Sequence, residues 1–339
     1  MATIKEIAEI AEVSTTTVSN VIHGNLNKVS PQNVEKIRKI IDDIGYIPQN
    51  GHRIPSTTCS KIIAVIINSH RGYENSVIDG TPYSEVISSI ERKIRHLGYF
   101  MMLYLTEDID DVHRLVIDFD IDGVIAITFD RNDCEKLSRM IKKPMISIDG
   151  YGKTNQKPSV PNVGEEHTRG GYIMVEYLLN SGYENIFVCA SRDYGIEHMR
   201  WTGAKNAFEK LNKNKDAGIK FLTLGRTLSS RKKQYQQLAS QVPFKQKSAV
   251  FFLSDLFALE ALSLFADRGI NVPEDLAVAG FDDISYSRIS VPKLTTVHQD
   301  ANKKAEYAVD ELVKKIENNS YNIQLEYSFP VYLVARQSV

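Results

Sequence analysis

The chain has only three cysteines in 339 residues, at positions 59, 134 and 189, with no Cys-x-x-Cys pair. So sparse and odd a set excludes a disulfide framework and a zinc knuckle, and it suits a reducing compartment. Long apolar runs are missing too. None approaches the roughly 18 residues a membrane span requires. The opening Met1-Ala2-Thr3-Ile4-Lys5-Glu6-Ile7 is amphipathic and lacks the apolar stretch of a secretory leader, so a cytoplasmic protein is expected. Charge of one sign is absent: 41 Lys and Arg stand against 42 Asp and Glu. Residues 1–57 are also neutral, with six basic and six acidic side chains, so no basic field advertises nucleic acid. No Gly-x-Ser-x-Gly elbow, Walker loop or His-Glu-x-x-His pair occurs, and neither catalysis, a cofactor nor a metal is expected.

What is present begins at once. Thr3-x-x-Glu6 is a capping box, and Ile4, Ile7, Ala8 and Ala11 follow at helical spacing. Ser14 is placed to cap a second helix, Thr15-Thr16-Thr17-Val18-Ser19-Asn20-Val21-Ile22, which stops near Gly24. Val18, Val21 and Ile22 share one side of it, while the other side carries short hydroxyls and an amide. Such a face suits a groove, where Thr15, Thr16 and Asn20 reach base edges without filling it. A third helix, 31–44, opens on Pro31 after Ser30 and aligns Val34, Ile37, Ile41 and Ile44. On spacing alone, a three-helix domain with no nucleic-acid role fits equally well.

From Lys61 the texture changes to short apolar runs alternating with helical patterns. Strands are expected at 62–67, 100–105, 123–128, 145–149, 186–190, 221–224, 249–254 and 276–281. Helices are expected near 83–97, 109–118, 132–141, 168–181, 198–212, 230–241, 255–268 and 300–318. Continuous apolar strands separated by helices mean parallel sheets covered on both faces. Two such sets suggest two Rossmann-like lobes around a cleft, with any ligand at the carboxyl ends of the strands.

Taken together, Thr3 to Gly24, Val29-Ser30 and Ile44-Gly45-Tyr46-Ile47-Pro48 closely resemble the headpiece of the lactose-repressor (LacI/GalR) family of bacterial transcription regulators. The likeness continues through Pro82-Tyr83, Gly98-Tyr99, Asp122-Gly123-Val124-Ile125, Ser147-Ile148-Asp149 and Arg200-Trp201-x-Gly203. Ser254-Asp255, Gly280-Phe281-Asp282-Asp283, Pro292-x-Leu294-Thr295-Thr296-Val297 and Arg336-x-Ser338 then follow in the family's order. The resemblance implies a small all-α helix-turn-helix headpiece (1–48), a hinge (49–60) and an α/β two-lobed periplasmic-binding-protein-like (type I) sensor domain (61–339). The lobes would exchange segments near 160, 290 and 323, giving an N-lobe of about 61–161 and 293–322 and a C-lobe of about 162–290 and 323–339. It further implies a homodimer joined through the sensor domain, a pseudo-palindromic double-stranded operator, and a small effector such as a sugar or sugar phosphate. No heptad repeat follows Arg336-x-Ser338, so a tetramer is not expected.

The DNA-binding positions implied are Thr3, Lys5, Ser14, Thr15, Thr16, Thr17, Ser19, Asn20, His23, Val29, Tyr46, Asn50, Arg53 and Ile54. The effector positions are Asn68, Tyr73, Asp149, Arg200, Asp255, Asp282 and Gln299. Carboxylates and an Arg fork suit a polyhydroxylated ligand, because charge-assisted hydrogen bonds are strong and directional. An Asp at a strand end is also an ordinary cap. Asp283 reads as such a cap, and Asp255 reads equally as a cleft contact or as part of a helix start. Glu165-Glu166-His167 invites comparison with a metal site, but three adjacent side chains diverge, and a solvated loop is expected. The chain departs from the family where most members have Arg at the position of Asn20 and Leu at that of Pro55. Gly51 and Pro55 both oppose a hinge helix. A regulator governed by a partner protein is the alternative, and a solute-binding protein a weaker one that would require an export signal.

Overall fold

The computed structural model describes residues 3–22, 25–44, 60–69, 82–152, 158–241 and 247–339. Met1–Ser60 and Lys61–Val339 form two compact units. Among the described residues, no helix is long and apolar enough to cross a membrane.

The first unit holds α1 (Ile4–Ala11), α2 (Thr15–Ile22) and α3 (Pro31–Ile44), with a 3-10 turn at Leu26–Lys28. The capping box forms: the Thr3 hydroxyl accepts from the Glu6 amide at 3.3 Å, and the Glu6 carboxylate accepts from the Thr3 amide at 2.7 Å. Ser14 caps α2 by accepting from the Thr17 amide at 3.0 Å. Ile7, Ala8, Ala11, Val18, Val21, Ile22, Ile37 and Ile41 close the core. Ile44, expected on the core face of α3, is instead exposed at the helix end. His23, Tyr46, Asn50, Arg53 and Ile54, and the hinge with Gly51 and Pro55, lie outside the described residues.

The second unit contains two six-stranded sheets. In chain order the strands are β1 (Ile62–Asn68), β2 (Phe100–Thr106), β3 (Gly123–Ile127), β4 (Met145–Ile148), β5 (Asn162–Glu165), β6 (Asn185–Ala190), β7 (Gly218–Thr223), β8 (Ser248–Phe252), β9 (Ala277–Asp282), β10 (Thr295–His298), β11 (Glu326–Phe329) and β12 (Tyr332–Val334). Their orders are β11-β5-β4-β3-β1-β2 and β12-β10-β9-β8-β6-β7. All pairings are parallel except that of β12 with β10. Among the described residues, eight helices cover them: α4 (Tyr83–His96), α5 (Ile109–Asp118), α6 (Arg131–Ile141), α7 (His167–Asn180), α8 (Gly195–Leu211), α9 (Leu228–Gln241), α10 (Asp255–Asp267) and α11 (Ala301–Glu317). The alternation of side chains along a strand explains why β1 is apolar throughout. Ile63, Val65 and Ile67 pack under α4 and α11, while Ile62, Ala64 and Ile66 pack under α5 and α6.

The chain crosses between lobes later than the sequence suggested. β5 still belongs to the first sheet, β10 still to the second and β11 again to the first. The crossings therefore fall at residue 166, at 299–300 and at 330–331, not near 160, 290 and 323. Their flanking strands are only three or four residues long and partly polar, which is why no apolar run announced them.

Two glycines set the packing of α7 on α8. A Cβ on Gly171 would lie 1.9 Å from the Arg200 carbonyl oxygen, and one on Gly203 would lie 1.8 Å from that of Thr168. The helices thus touch backbone to backbone, which brings His167 and Arg200 together. Gly203→Ala is expected to force them apart and to destabilise the sensor by about 1–3 kcal/mol, because the clash is with backbone that cannot rotate away. Urea unfolding with an unchanged midpoint would refute this.

Candidate functional site

Asp149 follows β4 and Asp282 ends β9, with φ of 55° and 123° respectively. These left-handed conformations turn the chain off the sheet at the strand's carboxyl end, the position at which such folds receive ligands. Asp149, Arg200, Asp282 and Gln299 are all buried. Arg200 Nη1 donates to Asp282 Oδ1 at 3.1 Å and to the Leu253 carbonyl at 2.6 Å. Gln299, on the second crossing, donates to the same Asp282 oxygen at 2.7 Å, and the Ser254 hydroxyl donates to the other at 3.2 Å. The guanidinium lies 3.5 Å from the centre of the Phe281 ring. Burial pushes the Asp282 carboxyl up to about 7, against the pull of Arg200.

A second cluster adjoins the first. Lys304 Nζ lies 2.7 Å from Asp149 and 2.6 Å from Glu165. The opposite oxygens of these carboxylates stand 3.5 and 3.7 Å from His167 Nε2. Arg200 Nε donates to His167 Nδ1 at 3.3 Å. That bond makes Nδ1 the acceptor, so the ring proton is on Nε2 and faces the carboxylates. Burial holds the His167 imidazole down at about 4, hence neutral. Burial also pushes Glu165 up to about 8, against the attraction of Lys304. For Asp149 the burial penalty is outweighed by Lys304 and His167, and its carboxyl stays below the usual range.

Asp149, Glu165 and His167 bring three possible metal-binding atoms within 4.8 Å of one another. The donor set nevertheless does not fit a metal ion. The lone pair Nε2 would need carries a proton, and the ammonium of Lys304 already occupies one oxygen of each carboxyl group.

The structure corrects two expectations and adds residues the sequence did not single out. Glu165 and His167 are not part of a solvated loop but are fully buried; only Glu166 between them is exposed. Asp255 shares no hydrogen bond with the Arg200 cluster and is consumed within the fold. It accepts from the Ile284 amide at 3.1 Å and from the hydroxyls of Ser287 and Thr296 at 2.6 and 2.5 Å. Its neighbour Ser254 faces the site instead. Asp283 braces the fold through His298 at 2.9 Å, Arg288 at 3.2 Å and Arg336. Tyr83, in the first turn of α4, is raised well above its ordinary value by burial, then by Asp149, with Arg192 and Arg200 opposing. Asn68 is buried at the carboxyl end of β1. Tyr73 lies outside the described residues.

On the first unit, Thr3, Lys5, Ser14, Thr15 and Thr16 are exposed, whereas Thr17, Ser19, Asn20 and Val29 are half-buried. The Thr17 hydroxyl is paired with that of Ser14 at 2.8 Å. The exposed hydroxyls of α2 are thus those of Thr15 and Thr16 at its start.

Comparison with known proteins agrees with both units. A family model for bacterial regulatory proteins of the lacI family matches residues 3–49, and one for a periplasmic binding protein-like domain matches 175–339. The HTH-type transcriptional repressor PurR of Histophilus somni (strain 129Pt) is 28% identical over 348 residues, covering 100% of this chain and 99% of its own. The lac repressor dimer bound to operator and the anti-inducer ONPF has a TM-score of 0.73 at 21% identity, covering 99% of this chain and 98% of that one. A complex of the transcriptional regulator CelR with cellobiose has a TM-score of 0.70 at 22% identity, covering 100% of both chains. The two matched segments stand in the order and with the fold of these regulators: a helix-turn-helix domain of the lacI family of bacterial regulatory proteins, then a periplasmic-binding-protein-like domain.

Proposed function

We propose that the protein is a cytoplasmic transcriptional repressor of carbohydrate-utilisation genes whose operator affinity is set by a sugar-like effector held between the two lobes. The carrying observation is the Arg200–Asp282–Gln299 cluster, built at strand ends beside the lobe crossings. Arg200 Nη2 takes no part in the bonds that fix the guanidinium, so half of its fork remains for a ligand oxygen. Asp149 and Ser254 complete the polar lining, and Asp255 is left out of it. Relatives with cellobiose or ribose in their structures favour a saccharide over other small molecules. The test is to select an operator from random DNA, then follow its release while titrating a panel of mono- and disaccharides. Operator binding that no sugar alters would favour control by a partner protein.

The protein works as a homodimer in this reading. β2 is an edge strand, and Phe100, Leu103 and Leu105 on it are exposed, as are Ile117 in the last turn of α5 and Phe119 just after it. Ile289 and Val291 are exposed on the other lobe. Apolar side chains along an open sheet edge call for a cover, and a second copy provides one.

Asn20 predicts a distinct half-site. An Arg at this position would grip guanine O6 and N7, whereas Asn matches adenine N6 and N7. Asn20→Arg is expected to shift preference toward G·C at one base pair per half-site, by about 1–3 kcal/mol. Selections that recover the same half-site for both proteins would defeat this.

A further inference from the structure

We propose that His167 is a positioning residue for the effector site, joining Arg200 of the C-terminal lobe to Asp149 and Glu165 of the N-terminal lobe through its two ring nitrogens. The inference rests on the reading that Arg200 receives the effector. Glu165 and His167 flank residue 166, where the chain first crosses between lobes. The ring is fully buried, with the Tyr151 ring set edge-on at 5.5 Å and Phe281 at 6.3 Å. Around it stand Asp149 after β4, Glu165 at the end of β5, Lys304 on α11 and Arg200 on α8, with Asp282 behind Arg200. Asp149 Oδ1, Glu165 Oε2 and His167 Nε2 have no hydrogen-bond partner of their own and converge on one another. The Nε2–H thus has the Asp149 carboxylate and the Glu165 carboxyl group of one lobe to point at, and that choice of tautomer leaves Nδ1 free to accept from Arg200 of the other. Parting the lobes takes the carboxylates from Nε2, frees the ring to change tautomer or turn, and removes the acceptor that holds Arg200 Nε. Apposition of the lobes thus secures the Nε bond, which adds to those that Nη1 makes within its own lobe.

The test uses the full-length protein and needs no effector. Long-range proton–nitrogen spectra of the histidine rings are expected to show His167 as the neutral Nε2–H tautomer between about pH 6 and 8. The Arg200 Nε–H, assigned with Arg200→Lys, is expected to exchange slowly with water. His167→Gln retains an acceptor and a donor, and should keep that protection within about threefold. His167→Phe retains only the ring's bulk, and should lose about tenfold or more. A His167 that titrates near its ordinary value, an Nδ1–H tautomer, or unchanged Arg200 exchange in the Phe variant would overturn the proposal. If the Phe variant does not fold, the wild-type tautomer decides alone. A sugar panel without effect would sink the effector reading while leaving this link standing, so the two failures are distinguishable.

Discussion

Arg200→Ala protein is expected to bind operator as the wild type does and to need roughly 30- to 1,000-fold more effector for release, about 2–4 kcal/mol. The size follows from what the guanidinium does. Its Nη1 holds Asp282 and the Leu253 carbonyl, its Nε holds His167, and its plane lies on Phe281. Alanine removes the ligand's donor and leaves the Asp282 carboxylate buried with only Ser254 and Gln299 as partners. Asp282 then takes up a proton, since burial already favours its neutral form. Arg200→Lys is the informative companion: it keeps the charge but cannot serve three acceptors in one plane or stack on Phe281. It should recover little of the response. The measurement is fluorescence anisotropy of a labelled operator titrated with effector. An alanine variant that responds at the wild-type concentration would remove Arg200 from the site.

The sensor was legible in sequence wherever burial was two-sided. β1, β3, β8 and β9 are covered by helices on both faces, so each reads as an uninterrupted apolar run. β5, β10, β11 and β12 adjoin the lobe crossings, where polar groups such as Asn162, Glu165 and His298 are needed, and the same signal vanishes. The three boundary shifts come from this cause. Asp149 and Asp282 are legible as strand-end carboxylates, and Arg200 as a cation near the start of α8, which follows the end of β6. At Ser254-Asp255 the choice of neighbour depended on how α10 leaves its strand, which spacing does not encode. Glu165 and His167 were set aside because adjacent residues diverge. Glu166 does diverge from both neighbours, but Glu165 ends β5 and His167 opens α7, and the turn between them brings these two side chains together. Lys304 did leave a trace. It interrupts the stripe Ala301, Ala305, Ala308 and Leu312 on the buried face of α11, and a charge there requires buried partners.

Stability of the sensor is expected to fall by about 2 kcal/mol between pH 6.5 and 8, and Glu165→Gln is expected to abolish most of that fall. Glu165 moves from an ordinary value of 4.5 to about 8 on folding. Between those values the native state keeps a proton the unfolded chain has released, so raising the pH favours unfolding, by up to about 1.4 kcal/mol per unit. The contribution is fully present below the unfolded value and lost as pH rises through the folded one. His167 acts with the opposite sign, because folding lowers it from 6.5 to about 4. There the unfolded chain binds the extra proton, and stability rises with pH. Below about pH 6.5 the two slopes offset each other; above it only that of Glu165 continues. Asp282, raised to about 7, adds to the decline in the lower part of the window. The difference between wild type and Glu165→Gln isolates Glu165, since the amide keeps the shape and carries no charge at any pH. Urea midpoints of the sensor transition, taken at half-unit steps across this window, measure both curves. A flat or rising wild-type curve, or an equal slope in the Gln variant, would mean that Lys304 keeps Glu165 ionised throughout, and that the cluster holds no proton to lose.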